Sequence, residues 1–235
     1  MRVSFLSAAF TVCAVVGAVA VVAITHPDTP LPAEWNPVVP LRVQDPYSPL
    51  TRWKAKVAQR SLTCCLAAME SSGVTPMEPL FESDDCGIAQ RVRLVRLGGA
   101  ALAPVETGCP VALRLALWER HDLQQLAQET FGTGVAAIKH LSSYSCRRMR
   151  TSGGDGRRMS SHASGMAIDV SGFAFSDGRV VDLVSGWDGS PQEQAFLRGA
   201  QQSACKWFGG VLGPDFNGLH ADHFHMQVPG RSFCR

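Results

Sequence analysis

The feature that most restricts this chain is an uncharged apolar run at its start, "VSFLSAAFTVCAVVGAVAVVAI", residues 3–24. At about 1.5 Å per residue, a helix of this length crosses a bilayer core of about 30 Å. Arg2 precedes the run, and no Lys or Arg follows it before Arg42. That asymmetry orients the helix with the bulk of the chain outside the cytoplasm. We read residues 1–25 as an uncleaved membrane anchor, with the rest outside the cytoplasm. A cleaved signal peptide, followed by secretion, is the alternative. It calls for a shorter apolar region, and no clean small-x-small cleavage site precedes His26.

Cysteine usage agrees with export to an oxidising compartment. Beyond the apolar run lie Cys64, Cys65, Cys86, Cys109, Cys146, Cys205 and Cys234, with no C-x-x-C pair. That scatter argues against a zinc ribbon and for structural disulfides. The number is odd, so one thiol is left over. The expected bridges are Cys65–Cys86, Cys109–Cys146 and Cys205–Cys234, with Cys64 spare.

Residues 25–50 hold seven of the fourteen prolines. This excludes a continuous helix and predicts an extended spacer over 26–50, ahead of one domain at 51–235. With 46% hydrophobic and 18% charged residues over its whole length, the chain has the means to fold around a core. A net charge of +2 gives no case for nucleic acid as a partner. The basic clusters "RRMR" (147–150) and "RR" (157–158) read as a solvated loop.

Within the domain, residues 50–73 have helical spacing and stop at Gly73. Residues 87–99 alternate as a strand. Residues 109–132 form the clearest helix, with Pro110 in its first turn and Gly132 at its stop. A second strand covers 135–146. Residues 166–184 predict a hairpin about Asp177-Gly178. A helix over 190–209 starts with Ser190 and Pro191, and a short strand covers 220–228. The fold class is α+β: a small antiparallel β-sheet with flanking helices, stabilised by disulfides.

Two clusters carry chemistry. In "NGLHADHFH" (217–225), strand alternation puts His223 and His225 on one face, with Asp222 and Phe224 on the other. His220 stands at the entrance to that strand. In "SSHASGMAIDV" (160–170), Ala167, Asp169 and Ser171 share a face, and Met166, Ile168 and Val170 share its opposite. A carboxylate in such an apolar strand needs a partner. A turn at Ser164-Gly165 could fold His162 back beside it. Singly, each residue is more often structural. Together they form S-x-H-x-x-G-x-A-x-D (Ser160, His162, Gly165, Ala167, Asp169), followed by H-x-x-H-x-H.

That combination resembles the zinc motif of D-alanyl-D-alanine metallopeptidases, related peptidoglycan endopeptidases and the hedgehog signalling domain. The region 35–235 resembles more closely the bacterial extensin-like C-terminal domain family, through "IKHLSSYSCR" (138–147), "SSHASGMAIDVSGF" (160–173), "DGRVVDLVSGW" (177–187) and "ACKWFGGVLGPDFNGLHADHFHMQ" (204–227). The peptidase resemblance implies a hedgehog-type site with His162, Asp169 and His225 as ligands to one Zn²⁺ per chain. Two imidazoles and a carboxylate would leave one tetrahedral position open. The resemblance also implies that His223 faces substrate or oxyanion, and that Arg147 faces substrate or transition state. In many of these peptidases a Glu or Asp stands three residues before the H-x-H as general base. His220 occupies that place here, as histidine does in some endopeptidases of the group.

The expected function is zinc-dependent peptidase or amidase action on peptidoglycan stem peptides or cross-links. The alternative is a non-catalytic, metal-stabilised domain that binds cell wall or a protein. A third reading is a non-haem Fe(II) oxygenase, since two His and one carboxylate also form a facial triad. The spacing of His162 and Asp169 and the disulfide-rich context weigh against it.

Overall fold

The computed structural model describes residues 5–26, 29, 31–228, 230 and 233–235. Arg2 of the expected anchor, and Pro27, Asp28 and Pro30 of the expected spacer, lie outside the described residues. Helix α1 (Phe5–Thr25) carries the apolar run. Its stretch Ser7–Thr25 is long and apolar enough to cross a membrane.

The proline-rich stretch is extended only in part. It contains a short 3₁₀ turn, Ala33–Trp35, and then packs onto the domain. Leu41 and Val43 enter the core, and the Val43 N–H donates to the Ala68 carbonyl at 2.9 Å. Asn36 and Ser48 are buried as well. Helices α2 (Thr51–Ala58) and α3 (Leu62–Ala68) replace the single helix expected over 50–73. The break falls at Ser61, whose side chain caps α3 by accepting the Cys64 N–H.

Strands β1 (Gly73–Pro76), β2 (Leu80–Ser83), β3 (Cys86–Ile88), β4 (Arg91–Arg96) and β5 (Ala101–Gly108) follow. The long helix falls where the sequence predicts it. It runs as α4 (Cys109–Trp118), a π-helical stretch at Glu119–Leu123, and α5 (Gln124–Phe131), ending on Gly132 in a left-handed conformation. Buried Glu119 accepts the N–H groups of Gly99 and Ala100 and the side chain of Gln124. The remaining elements are β6 (Val135–His140), β7 (Arg148–Thr151), β8 (Gly154–Met159), β9 (Ala167–Phe175), β10 (Val180–Asp182), α6 (Leu183–Gly186), α7 (Pro191–Ala204), β11 (Gly210–Leu212), β12 (Phe224–Gln227) and β13 (Phe233–Cys234). Helix α7 starts with a full capping box between Ser190 and Glu193.

The class is α+β with flanking helices, but the sheet is neither small nor wholly antiparallel. Nine strands join it, in the order β1-β4-β5-β6-β9-β12-β11-β13, with β10 paired to β9. Strands β5 and β6 are parallel, as are β11 and β13. The cause of the first parallel pair is β5, which the sequence does not announce. The helices from α4 to α5 carry the chain back between β5 and β6, and such a crossover makes the strands parallel. Pairing with β6 stops at Leu102, two residues before Pro104, which has no N–H to offer.

The core lies between the sheet and helices α4, α5 and α7. Phe173 of β9 meets Trp118 of α4 and Phe196 of α7 edge to face, with ring centroids 6.1 and 5.2 Å apart. Ile168, Val170, Phe224 and Met226 face the same core. Their neighbours in sequence, Asp169 and His225, therefore point from the opposite side of the sheet.

Three disulfides form: Cys65–Cys109, Cys86–Cys146 and Cys205–Cys234. Only the last was expected. Packing of α3 against α4 brings Cys65 to Cys109, and β3 packs on the Ser161–Ser164 turn to which Ser145 is hydrogen-bonded, so Cys86 takes Cys146. Cys64 is free and exposed, as is Cys13 in α1.

Candidate metal centre

Sheet register alone brings two site residues together. Strand β12 pairs antiparallel with β9, and His225 lies directly opposite Asp169. Their facing atoms, Nδ1 and Oδ1, are 3.0 Å apart. His162 arrives from a separate 3₁₀ turn, Ser161–Ser164, capped by Ser160. Gly165 ends that turn at φ +61° and sends the chain into β9. A Cβ at Gly165 would stand 2.8 Å from the Ile88 side chain, so both conformation and space call for glycine. His162 Nε2 then lies 3.1 Å from Asp169 Oδ1 and 3.0 Å from His225 Nδ1. All three residues are buried.

Neighbouring groups fix what these atoms offer. His162 Nδ1 lies 2.8 Å from the Ser143 carbonyl, which can only accept. Nδ1 therefore carries the proton, and Nε2 turns a lone pair inward. His225 Nε2 is 3.1 Å from Gln227 Oε1, which also accepts from Ser161 Oγ at 3.1 Å. That leaves His225 Nδ1 as a second inward lone pair. The Asp169 carboxylate supplies the third. Burial by itself would raise the Asp169 carboxyl, but when the facing nitrogens of His162 and His225 carry protons in place of a cation, their hydrogen bonds and charge outweigh it and hold the carboxyl well below the usual carboxylate range.

Three acceptor atoms in a buried triangle need a proton or a cation among them. Tetrahedral zinc with ligand bonds of about 2.0 Å holds its ligand atoms about 3.3 Å apart. The observed edges of 3.0 to 3.1 Å are close to that size. The donor set, the separations and the acceptor contacts behind both imidazoles all fit such an ion.

Two more histidines stand beside the triangle. His220 belongs to a 3₁₀ turn, Gly218–His220, rather than to the strand expected from residue 220 onward. Its ring centroid lies 5.3 Å from that of His223 and 5.8 Å from that of His225. Asn217 Oδ1 accepts the Leu219 N–H, which identifies it as the amide oxygen. His220 Nδ1, 2.7 Å from that oxygen, is therefore a donor, and its Nε2 has no hydrogen-bond partner among the described residues. Burial, with His225 and His223 alongside, pushes the His220 pKa down to about 4 against the pull of Asp169 and Asp222. His223 donates from Nδ1 to Asp222 at 2.7 Å and brings Nε2 to 3.6 Å from Asp169. Phe224 points the other way, into the core against Trp187.

Arg147 is not drawn into this cluster. Its guanidinium donates to the Arg148 carbonyl, and its own carbonyl accepts the Ser160 N–H. It stands at the base of the hairpin β7–β8, which pairs the two basic clusters that the sequence suggests are loop. Arg148, Arg150, Arg157 and Arg158 stay exposed there. The Cys86–Cys146 bridge and the bond from the Ser145 N–H to the His162 carbonyl tie this hairpin to the site.

The sequence did not point to Ser143, Gln227 or Asn217. Gln227 had a signal, because His223, His225 and Gln227 continue one period-two face. The role of Ser143 lies in a backbone carbonyl, which leaves no mark on residue type.

No curated protein and no solved structure matches the chain. The profile described as "Extensin-like protein C-terminus" matches residues 63–235, from α3 through the last histidine and the final disulfide. With well over half of its length matched, the chain belongs to the extensin-like protein C-terminus family.

Proposed function

We propose that this protein is a zinc-dependent peptidase or amidase that acts on peptidoglycan peptides, held outside the bacterial inner membrane by α1. The observation that carries the reading is the buried triangle of three inward lone pairs, with an imidazole nitrogen beside it that has no hydrogen-bond partner among the described residues. Bound zinc would polarise the scissile amide carbonyl and acidify water in its open position. The chain's own residues do the rest. Ser143 and Gln227 orient the two ligand imidazoles, and Asp169 supplies the negative charge. His220 Nε2 is the proton acceptor for the attacking water. His223, as an imidazolium held by Asp222 through Nδ1, would donate from Nε2 to the developing oxyanion. Arg147 and the basic hairpin attract the carboxylates of stem peptides. The three disulfides suit an oxidising periplasm.

A non-catalytic, metal-stabilised wall- or protein-binding domain is favoured by one observation: a His220 pKa near 4 makes a weak base. Metal analysis and incubation with purified muropeptides separate the readings. The peptidase reading expects about one zinc per chain and new products by mass from wild type, with none from His225→Ala. A zinc-loaded wild type that leaves every muropeptide intact establishes the binding reading instead. Iron with 2-oxoglutarate turnover would establish an oxygenase.

A further inference from the structure

Helix α2 has two unlike faces. Thr51, Lys54, Ala55 and Ala58 are buried, and Lys54 Nζ reaches back to the Ala33 carbonyl at 2.6 Å. Arg52, Trp53, Lys56 and Val57 are exposed, at spacings that put them on one side of the helix, and Arg60 is exposed in the turn that follows it. Trp53 keeps 49% of its surface exposed, and so does Trp35 in the 3₁₀ turn that Lys54 holds. The other three tryptophans, Trp118, Trp187 and Trp207, are no more than 5% exposed. Arg52, Lys56 and Arg60 enter no ion pair among the described residues. The two open indoles leave apolar surface in water, while the three cations beside them are solvated and free to meet an anionic partner. They match a phospholipid interface, where indoles settle at headgroup depth and Lys and Arg meet anionic lipids.

The path of the chain sets the height of this face. The stretch Ser7–Thr25 rises about 29 Å at 1.5 Å per residue, so its last turn lies at the edge of a hydrocarbon core of about 30 Å. Asn36 Nδ2 donates to the Ile24 carbonyl in that turn at 3.0 Å. This bond returns the chain to the level where α1 leaves the core and places Trp35, one residue away, at that level too. We propose that Trp35, Trp53 and Val57, with Arg52, Lys56 and Arg60, form a foot that rests on the anionic headgroup layer of the bilayer crossed by α1. The inference rests on α1 remaining as an anchor.

The test uses the full chain in vesicles of zwitterionic and anionic phospholipid, with and without brominated acyl chains. Flotation comes first: a chain that does not float with vesicles overturns both the anchor and the foot. In a floating chain, brominated lipid should quench tryptophan emission, because the two exposed indoles meet the lipid. Trp35→Phe with Trp53→Phe should abolish that quenching and retain the emission of the buried three. Arg52→Glu with Lys56→Glu and Arg60→Glu should weaken it. Equal wild-type emission in both vesicle types, with acrylamide quenching as in water, overturns the foot and leaves the anchor standing.

Discussion

His225 faces Asp169 across two adjacent strands, Nδ1 to Oδ1 at 3.0 Å, because the β9–β12 register sets the two residues opposite each other. The contact thus depends on backbone pairing rather than on a loop. Gln227, two residues along the same face, accepts from His225 Nε2. Replacing Gln227 with Leu should therefore spare the fold and weaken metal binding by about 10- to 100-fold. Competitive titration with a chromophoric zinc chelator reads this directly, and unchanged affinity would show that Gln227 does not orient His225.

Gly165 is the pivot that returns His162 to the triangle. Gly165→Ala puts a Cβ into a left-handed backbone and 2.8 Å from Ile88. A loss of about 1–3 kcal/mol is expected from the backbone strain, together with weaker zinc binding as the His162 turn shifts. Thermal unfolding and zinc titration on the same variant check both. A variant as stable as wild type would show that the Ile88 wall yields freely.

The disulfides should separate by function. Each closes a loop of 29 to 60 residues, so loss of either of the longer two should cost about 4 kcal/mol by loop entropy. Cys65–Cys109 joins α3 to the first turn of α4, next to Gly108, whose N–H donates to the Gly165 carbonyl at the end of the His162 turn. Cys86–Cys146 sits next to Ser145, whose N–H holds the His162 carbonyl. Paired Cys→Ser replacement at 65 and 109 should lower Tm with the smaller loss of zinc affinity, because its link reaches Gly165 rather than His162 itself. Replacement at 86 and 146 should lower both, and equal zinc affinity in the two variants would contradict this.

His220 sets a pH dependence in the metal-free protein. Its pKa falls from 6.5 in the open chain to about 4 in the fold. The unfolded chain therefore binds the extra proton first, and the His220 contribution, full above pH 6.5, is lost as pH falls towards 4. Urea denaturation with a chelator present should show stability dropping over that window, and less so for His220→Gln. Parallel curves for the two proteins would mean that His220 does not titrate there.

Much of this was legible from residue type, because the signals were local. Gly132 stops α5, Ser190 and Pro191 start α7, and Asp177-Gly178 turns β9 into β10. The period-two spacing of His223 and His225 placed both on one face, with Phe224 on the other, as the structure has them. What escaped depended on distant partners. Strand β5 carries a proline and reads as loop until β4 and β6 flank it. Pairing Cys65 with Cys86 followed sequence order, whereas α3 packs on α4. The spacer prolines announced an extended chain, but not that Leu41 and Val43 would be taken into the core.

The third donor of the triangle is carried by a strand in the interior of the sheet, between β9 and β11, and His225 lies 63 residues from His162. A chain threaded across a membrane in extended form keeps these donors far apart. Such long-range pairing is also among the slower events of folding. An ion held by the triangle could be captured only after β12 has paired with β9, so metal loading would mark a late step of assembly. A chain in transit, or one that stalls half-folded, would carry no armed centre past the lipids and the wall it is proposed to cut.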